Sequence, residues 1–286
     1  MSFKSSELVL NSKKQVYHLG LHAKDISNKI ILVGDQDRVE LVTSFFDTIE
    51  HRSQHREFVC HTGMYKGKRI SVLSSGIGTD NIDIVVNELD ILANIDLETK
   101  ELNPDTKSLE IIRIGTCGIL QSDIPLHQYI ISEMSLGLDN VAHYYSIYFT
   151  DKENEMLSEI TAHCPFPNKI EPYLISANPE LTSRLEGENT NKGITLTASG
   201  FYGPQGRTIR LPLKNNWRET LENSSFQNIP IVNFEMESSA LFALGRSLGH
   251  SCATICLGIA NRPTGDFSKD YSSHMNELIE YVLDRF

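Results

Sequence analysis

Two hydrophobic rhythms alternate along the chain. Short apolar runs bounded by glycine or charge recur at KIILVGD (29–35), IIRIG (111–115), QYIISE (128–133), GITLTASG (193–200), NIPIVNFE (228–235) and SCATICLGIANR (251–262). Runs of this length, rich in β-branched residues, read as buried strands. EFVCHTGMYKGKRISVLSSG (57–76) reads as two strands joined by a turn near Lys66-Gly67. Helical spacing appears between the runs. DRVELVTSFF (37–46) carries Val39, Leu41, Val42, Phe45 and Phe46. IDIVVNELDILANI (82–95), opened by GIGTDN, has apolar residues at 82, 85, 86, 89 and 92. In MESSALFALGRSLG (236–249), Met236, Ala240, Leu241, Leu244 and Leu248 share one face, and Gly249 supplies the stop. HMNELIEYVLDRF (274–286) closes the chain as a helix. Residues 135–178 show no clear pattern, and 95–110 is a polar, proline-containing stretch that reads as a surface insertion.

Strands alternating with helices predict an α/β fold whose sheet is covered on both faces. In such sheets, loops at the carboxyl ends of strands form the ligand crevice. Six punctuated stretches are candidate walls of one pocket: VGDQDR, SSGIGTDN, RIGTCG, ASGFYGPQGR, VNFEMES and GIANRPTGD.

The net charge of −11 over 286 residues makes nucleic acid or an anionic membrane a poor partner. Any anion site must therefore be a local cluster of positive groups. The five cysteines lack metal or C-x-x-C spacing, which argues against a metal centre or a disulfide framework. They fit a reducing compartment. No signal peptide or spanning segment is evident, so a cytoplasmic protein is expected.

Arg113 poses the sharpest question. It sits inside an aliphatic run, one step before what reads as a Gly-Thr-Cys-Gly turn. A buried guanidinium without a partner is costly, so either a carboxylate or an anionic ligand should meet it. With Arg38, Arg56, the close-approach glycine Gly34 and the Thr116 hydroxyl, it could cage a tetrahedral oxyanion. The carboxylates of EMES (235–238) open a helix, where they could cap its N-terminus or accept from paired sugar hydroxyls. In FYGPQGR (201–207), Gln205 offers a donor and an acceptor, Arg207 donors only. The pair matches a pyrimidine edge, with Phe201 against a ring face, or it belongs to a solvated loop. His18, in YHLGL, has an apolar surround typical of a packed residue.

Taken together these stretches resemble the nucleoside phosphorylases of the purine nucleoside phosphorylase/uridine phosphorylase superfamily, and are most like the uridine phosphorylases. YHLGL, VGDQDRVE, HREF, SSGIG, IIRIGTCGILQ, FYGPQGR, VNFEMESSAL and GIANR follow in the family's order over residues 17–262. The resemblance implies a single domain, 1–286, with a central mixed twisted sheet flanked by helices. It implies reversible phosphorolysis of uridine to uracil and ribose 1-phosphate, with no organic cofactor. It implies a homo-oligomer with sites at a dimer interface, bacterial members often being a hexamer made of three such dimers. Gly34, Arg38, Arg113 and Thr116 would bind phosphate, with Arg56 reaching in from a neighbouring subunit. Met236 and Glu237 would hold the ribose, beside His18 of the neighbour. Gln205 and Arg207 would read the base near Phe201, supported by Arg262. Arg113, Arg207, Glu237 and Gln205 would carry the catalytic roles. GIGTDN departs from the family's GIGGPS-like loop, which bears on the monovalent cation some members hold near Glu57 and Ile77.

Two neighbouring activities are weighed. Purine nucleoside phosphorylases usually carry an aspartate just after the late strand, where this chain has Asn261-Arg262. A hydrolytic nucleosidase would have no use for the three arginines. On this reading Arg113→Ala should lose most phosphate-dependent turnover and keep its fold.

Overall fold

The computed structural model describes residues 2–167 and 169–286. The strands are β1 (Lys29–Val33), β2 (Thr48–His55), β3 (Phe58–Tyr65), β4 (Lys68–Ser74), β5 (Ile95–Asp96), β6 (Glu101–Leu102), β7 (Glu110–Ile119), β8 (Tyr129–Gly137), β9 (Tyr173–Ser176), β10 (Thr190–Thr197), β11 (Ser225–Phe226), β12 (Ile229–Glu235), β13 (Ser251–Asn261) and β14 (Asp266–Phe267). The helices are α1 (Gln36–Thr43), α2 (Thr79–Asn94), α3 (Asp151–His163), α4 (Pro179–Leu185), α5 (Ser238–Ser247) and α6 (Ser272–Arg285).

Twelve strands join in one mixed sheet along the path β11-β12-β10-β8-β13-β7-β1-β4-β3-β2, with β9 on β8 and β14 on β13. Period-two alternation explains why both faces are covered. In β1, Ile30 and Leu32 join the cluster built on α2 and α5, while Ile31 and Val33 join the one built on α1, α4 and α6. In β7, Ile111 faces the α2/α5 side and Ile112 and Ile114 the other. Arg113 therefore projects to the α2/α5 side.

β7 does not turn at Gly-Thr-Cys-Gly, contrary to expectation. β1 leaves it at Ile114, but β13 stays paired to it from Glu110 to Ile119. That ladder, interrupted only by a bulge at Ile259, and not local propensity, holds Gly115–Gly118 extended. At its far end β7 also pairs antiparallel with β12, through Asn233↔Ile119 and Phe234↔Gly118. β12, β10, β8, β13 and β7 thus close into a ring, whose strands contribute Cys117, Ile119, Ile130, Val232 and Cys256 to one compact cluster. A crevice opens where β1 stops and β7 continues.

The segment 135–178 contains regular structure after all: the end of β8, then α3 and β9. Helix α3 starts with a capping box between Thr150 and Glu153. The 95–110 stretch is the β5/β6 hairpin with its flanks; Phe3 N donates to Lys100 O (2.8 Å) and Ser2 Oγ to Thr99 O (3.0 Å), so it ties down the N-terminal segment. Among the described residues, no helix is long and apolar enough to cross a membrane.

Candidate active site

A cavity of about 730 Å³ lies beyond the carboxyl ends of β1, β4, β7, β10, β12 and β13. It is the size of a small-molecule site. Gly34, Arg38, Arg113 and Thr116 line it, with Met236 and Glu237, and with Phe201, Gln205 and Arg207. Nine of the expected site residues are thereby brought to one place.

The Arg113 question has a definite answer. Its guanidinium, 5% exposed, lies between two buried carboxylates: Nη2 donates to Glu237 Oε2, and Nη1 stands 3.4 Å from Glu235 Oε2. Of the two partners the sequence left open, the protein itself supplies the carboxylate. A Cβ on Gly115 would fall inside contact distance of Arg113 Nη1 and 2.9 Å from Cys256 Sγ, so the glycine after Ile114 leaves the volume the guanidinium occupies.

The two carboxylates divide the work. Glu235 Oε2 accepts from the backbone N–H groups of Glu237 and Ser238 (both 2.9 Å) and so caps α5. Glu237 turns the other way, its Oε1 accepting from Gly78 N (2.7 Å) at the start of α2. Both carboxylates sit at the positive ends of helices. Burial opposes charge on Arg113, but Glu237 and Glu235 outweigh it and hold the guanidinium above its ordinary value. Burial pushes the Glu237 carboxyl up, Arg113 pulls it down, and Glu235 pushes it further up, for a net rise. One cation serves two buried acids, and the surplus negative charge is felt at Glu237.

Arg38 stands differently. It has no hydrogen bond or ion pair to any described residue, and burial together with the like charge of Arg113 lowers its pKa, only partly offset by Asp35. A desolvated guanidinium beside a second one is the electrostatic setting for a bound anion. Gly34 faces the same end: a Cβ there would meet only Gly76 O, at 3.5 Å. Thr116 completes that end of the lining.

At the other end, Arg207 Nη1 donates to Phe201 O (2.6 Å) and to Gln205 Oε1, and its guanidinium lies 3.7 Å from the Phe201 ring centroid. Gln205 is 3% exposed. Arg262 does not line the cavity; its stem runs behind Gly118, and its Nη1 is buried without a partner. Burial and the like charges of Arg207 and Arg218 push its pKa down to about 10. Asn261 faces away, donating to Gln121 O (3.0 Å) and Ile124 O (2.9 Å). It locks the end of β13 and offers no group to a ligand.

Arg56 and His18 are absent from this chain's cavity lining. They share one surface patch instead. Arg56 is exposed, adopts a left-handed φ of 55°, and lies 5.2 Å from the Tyr17 ring centroid. His55 Nδ1 meets His18 O at 2.7 Å, and His18 Nδ1 pairs with Glu88 at 2.7 Å. Glu57 and Ile77 line the cavity rim, and Ile77 is 73% exposed. Among the described residues, no cluster of His, Cys, Asp or Glu could hold a metal ion.

The family model of the phosphorylase superfamily matches residues 28–285. The chain belongs to the phosphorylase superfamily. It is 28% identical over 270 residues to a uridine phosphorylase of Thermococcus kodakarensis, covering 93% of this chain and 85% of that protein. It is 27% identical over 277 residues to the uridine phosphorylase of Escherichia coli K12, covering 94% and 96%. A crystal structure of a Trypanosoma brucei nucleoside phosphorylase, described as showing uridine phosphorylase activity, superposes with a TM-score of 0.90. It is 28% identical and covers 97% of this chain and 98% of that one.

Beside the expected residues of this phosphorylase-superfamily chain stand others the sequence did not single out. Phe267, on β14, lines the cavity and is 67% exposed. Its only signal was an aromatic shortly after GIANRPTGD. The backbone of Gly78, which fixes Glu237, carried no signal beyond a glycine before a helix.

Proposed function

We propose that this protein catalyses the reversible phosphorolysis of uridine, giving uracil and ribose 1-phosphate. The observation that carries the reading is the polarity of one cavity: a half-buried Arg38 with no partner among the described residues beside Arg113 at one end, and Gln205 with Arg207 at the other. The first end suits inorganic phosphate, the second the amide edge of a pyrimidine. Relatives over nearly the full chain that carry the name uridine phosphorylase support the same reading.

The chemistry follows from the charges. Phosphate attacks the anomeric carbon while the glycosidic bond breaks, so positive charge builds on the sugar and negative charge on the departing base. Glu237, carrying the surplus negative charge of its cluster, accepts from ribose hydroxyls and faces the oxocarbenium character. Arg38, Arg113 and Thr116 hold the phosphate in line, and Met236 packs against the sugar. Arg207, backed by Arg262, stabilises the base as it leaves, and Gln205 fixes its orientation. Positioning and electrostatics supply the acceleration, with no side-chain nucleophile and no organic cofactor.

The exposed Arg56, with the Tyr17 and His18 patch, supports a shared site in which these residues of a second copy close the phosphate and 5′ ends. All five cysteines are free and buried, which supports a cytoplasmic setting. Arg207, Gln205 and Phe201 bring no carboxylate to the base end, and Asn261 is turned away, which favours a pyrimidine over a purine that needs protonation at N7. A panel of nucleosides with phosphate tests this by base release. Uridine should be cleaved far faster than inosine or adenosine; the reverse order would replace the reading with a purine phosphorylase.

A further inference from the structure

We propose that Arg218, paired with Glu222 behind the loop 201–207, is a positioning residue of the base end, aiming Arg207 and adding a positive field that stabilises the departing base. This rests on the uridine phosphorolysis reading and extends it to a residue outside the cavity lining.

The anchor is firm. Arg218 lies in the short helical turn Trp217–Thr220, whose Trp217 is 3% exposed and packs edge-on against Phe234, 5.9 Å between centroids. Phe234 itself lines the cavity. From that turn the Arg218 stem passes directly behind Gly206. A Cβ at 206 would lie 2.8 Å from both Cβ and Cδ of Arg218, and Gly206 has a φ of 67°. The left-handed glycine and the arginine stem thus fit together, and the next residue along is Arg207. The Arg218 head stands 2.7 Å from Glu222 Oε1, with the two side chains 18% and 16% exposed.

The charge balance is uneven. Arg262 feels the like charges of both Arg207 and Arg218, and Glu222, the partner of Arg218, offsets them only at Arg262. Burial and Arg218 both lower the pKa of Arg207, and Arg262 Nη1 has no partner. Neighbouring guanidinium groups with too few carboxylates between them are costly in the resting protein. The arrangement becomes favourable when a negative charge arrives, and here one arrives only as the glycosidic bond breaks. A field of this kind is worth more in the transition state than in the ground state, so it acts on kcat more than on KM for uridine.

The test compares uridine with 5-fluorouridine at saturating phosphate. Fluorine stabilises the departing base anion, so the second substrate depends less on the protein's field. Arg218→Met keeps the stem and removes the charge. It should lower kcat on uridine on the order of tenfold, the effect of one charge at roughly 10 Å through an effective dielectric of about 20. The loss on 5-fluorouridine should be only about twofold, with KM for phosphate unchanged, and Arg218→Lys should recover most of the uridine rate. Glu222→Gln, the opposite charge change, should narrow the gap between the substrates. Equal losses on both substrates, a raised KM for phosphate, no rescue by lysine, or a gap that widens in both variants would each mark a merely structural residue and overturn the proposal. Unchanged uridine kinetics in Arg218→Met would overturn it as well. A wild-type protein inactive on uridine plus phosphate would instead refute the functional reading, before any variant is compared.

Discussion

Arg113→Ala removes the one cation from between Glu235 and Glu237. From the sequence the change should spare the fold; the structure adds a cost in stability. Both carboxylates are buried, each 3% exposed, and Arg113 is their shared partner. Breaking a buried ion pair by removing one side costs about 3–5 kcal/mol, a large share of the roughly 5–15 kcal/mol that stabilises a folded protein. At about 0.6 kcal/mol per degree for a chain of this length, that is a fall of roughly 5–8 °C in apparent Tm. The loss should depend on pH. Glu237 already has a raised carboxyl pKa, through burial first, and without Arg113 it rises further. A carboxyl whose folded pKa lies above its unfolded value contributes stability below the unfolded value and loses it as pH rises through the folded one. The variant should therefore be closest to wild type near pH 5 and furthest at pH 8, diverging by up to about 1.4 kcal/mol per pH unit. Adding Glu237→Gln should restore several degrees at pH 8 by removing the stranded charge. The assay is thermal melting of wild type, single and double variants across that range. A Tm loss that does not change with pH, or a double variant no more stable than Arg113→Ala, would refute the shared-cation account.

Other expectations follow from the same geometry. Arg38→Met should raise KM for phosphate at least tenfold and leave the melting temperature within about 2 °C or higher, since it removes a charge that lacks a protein partner; steady-state kinetics and melting read both. Gly115→Ala should cost on the order of 100-fold in kcat/KM, because its Cβ displaces the Arg113 guanidinium by about 1 Å; near-normal turnover would contradict the packing. Gln205→Ala should impair uridine use far more than phosphate affinity, and equal losses would undo its base-reading role. Arg56→Ala and Arg38→Ala proteins, each weak alone, should regain about a quarter of wild-type activity when co-expressed, since random pairing leaves one intact site in each mixed dimer; no recovery would argue against a site shared between copies.

What could be read from the sequence was what local pattern records. The runs that became β1, β4, β12 and β13 are apolar and bounded, and α2 buries Ile82, Val85, Val86, Leu89 and Leu92, the face its spacing marked. β2 escaped notice because five of its eight residues are exposed and none is buried, as suits an edge strand. Helix α3 carried a legible start, Thr150 three residues before Glu153, without a wide apolar face to follow it. The two glycines after Arg113 read as a turn because only a ladder with β13, more than 130 residues away, keeps them extended. The site divides in the same way. Loops that punctuate strands, GDQDR, FYGPQGR and FEMES, named half of the cavity lining. The partner of Arg113 lies 124 residues away along the chain, so one sequence could state that a partner must exist but not which of two it was. Arg218 and Phe267 have no motif of their own, and only packing brings Phe267 to the cavity and Arg218 to Gly206 behind it.

Phosphate dependence tests the central claim most directly. Purified protein is incubated with uridine, with and without inorganic phosphate, while uracil release is followed by absorbance and the sugar product by phosphorus NMR. The account predicts one ribose 1-phosphate formed per uracil released, and no release when phosphate is omitted. Undiminished uracil release in phosphate-free buffer, with free ribose as the product, would contradict it.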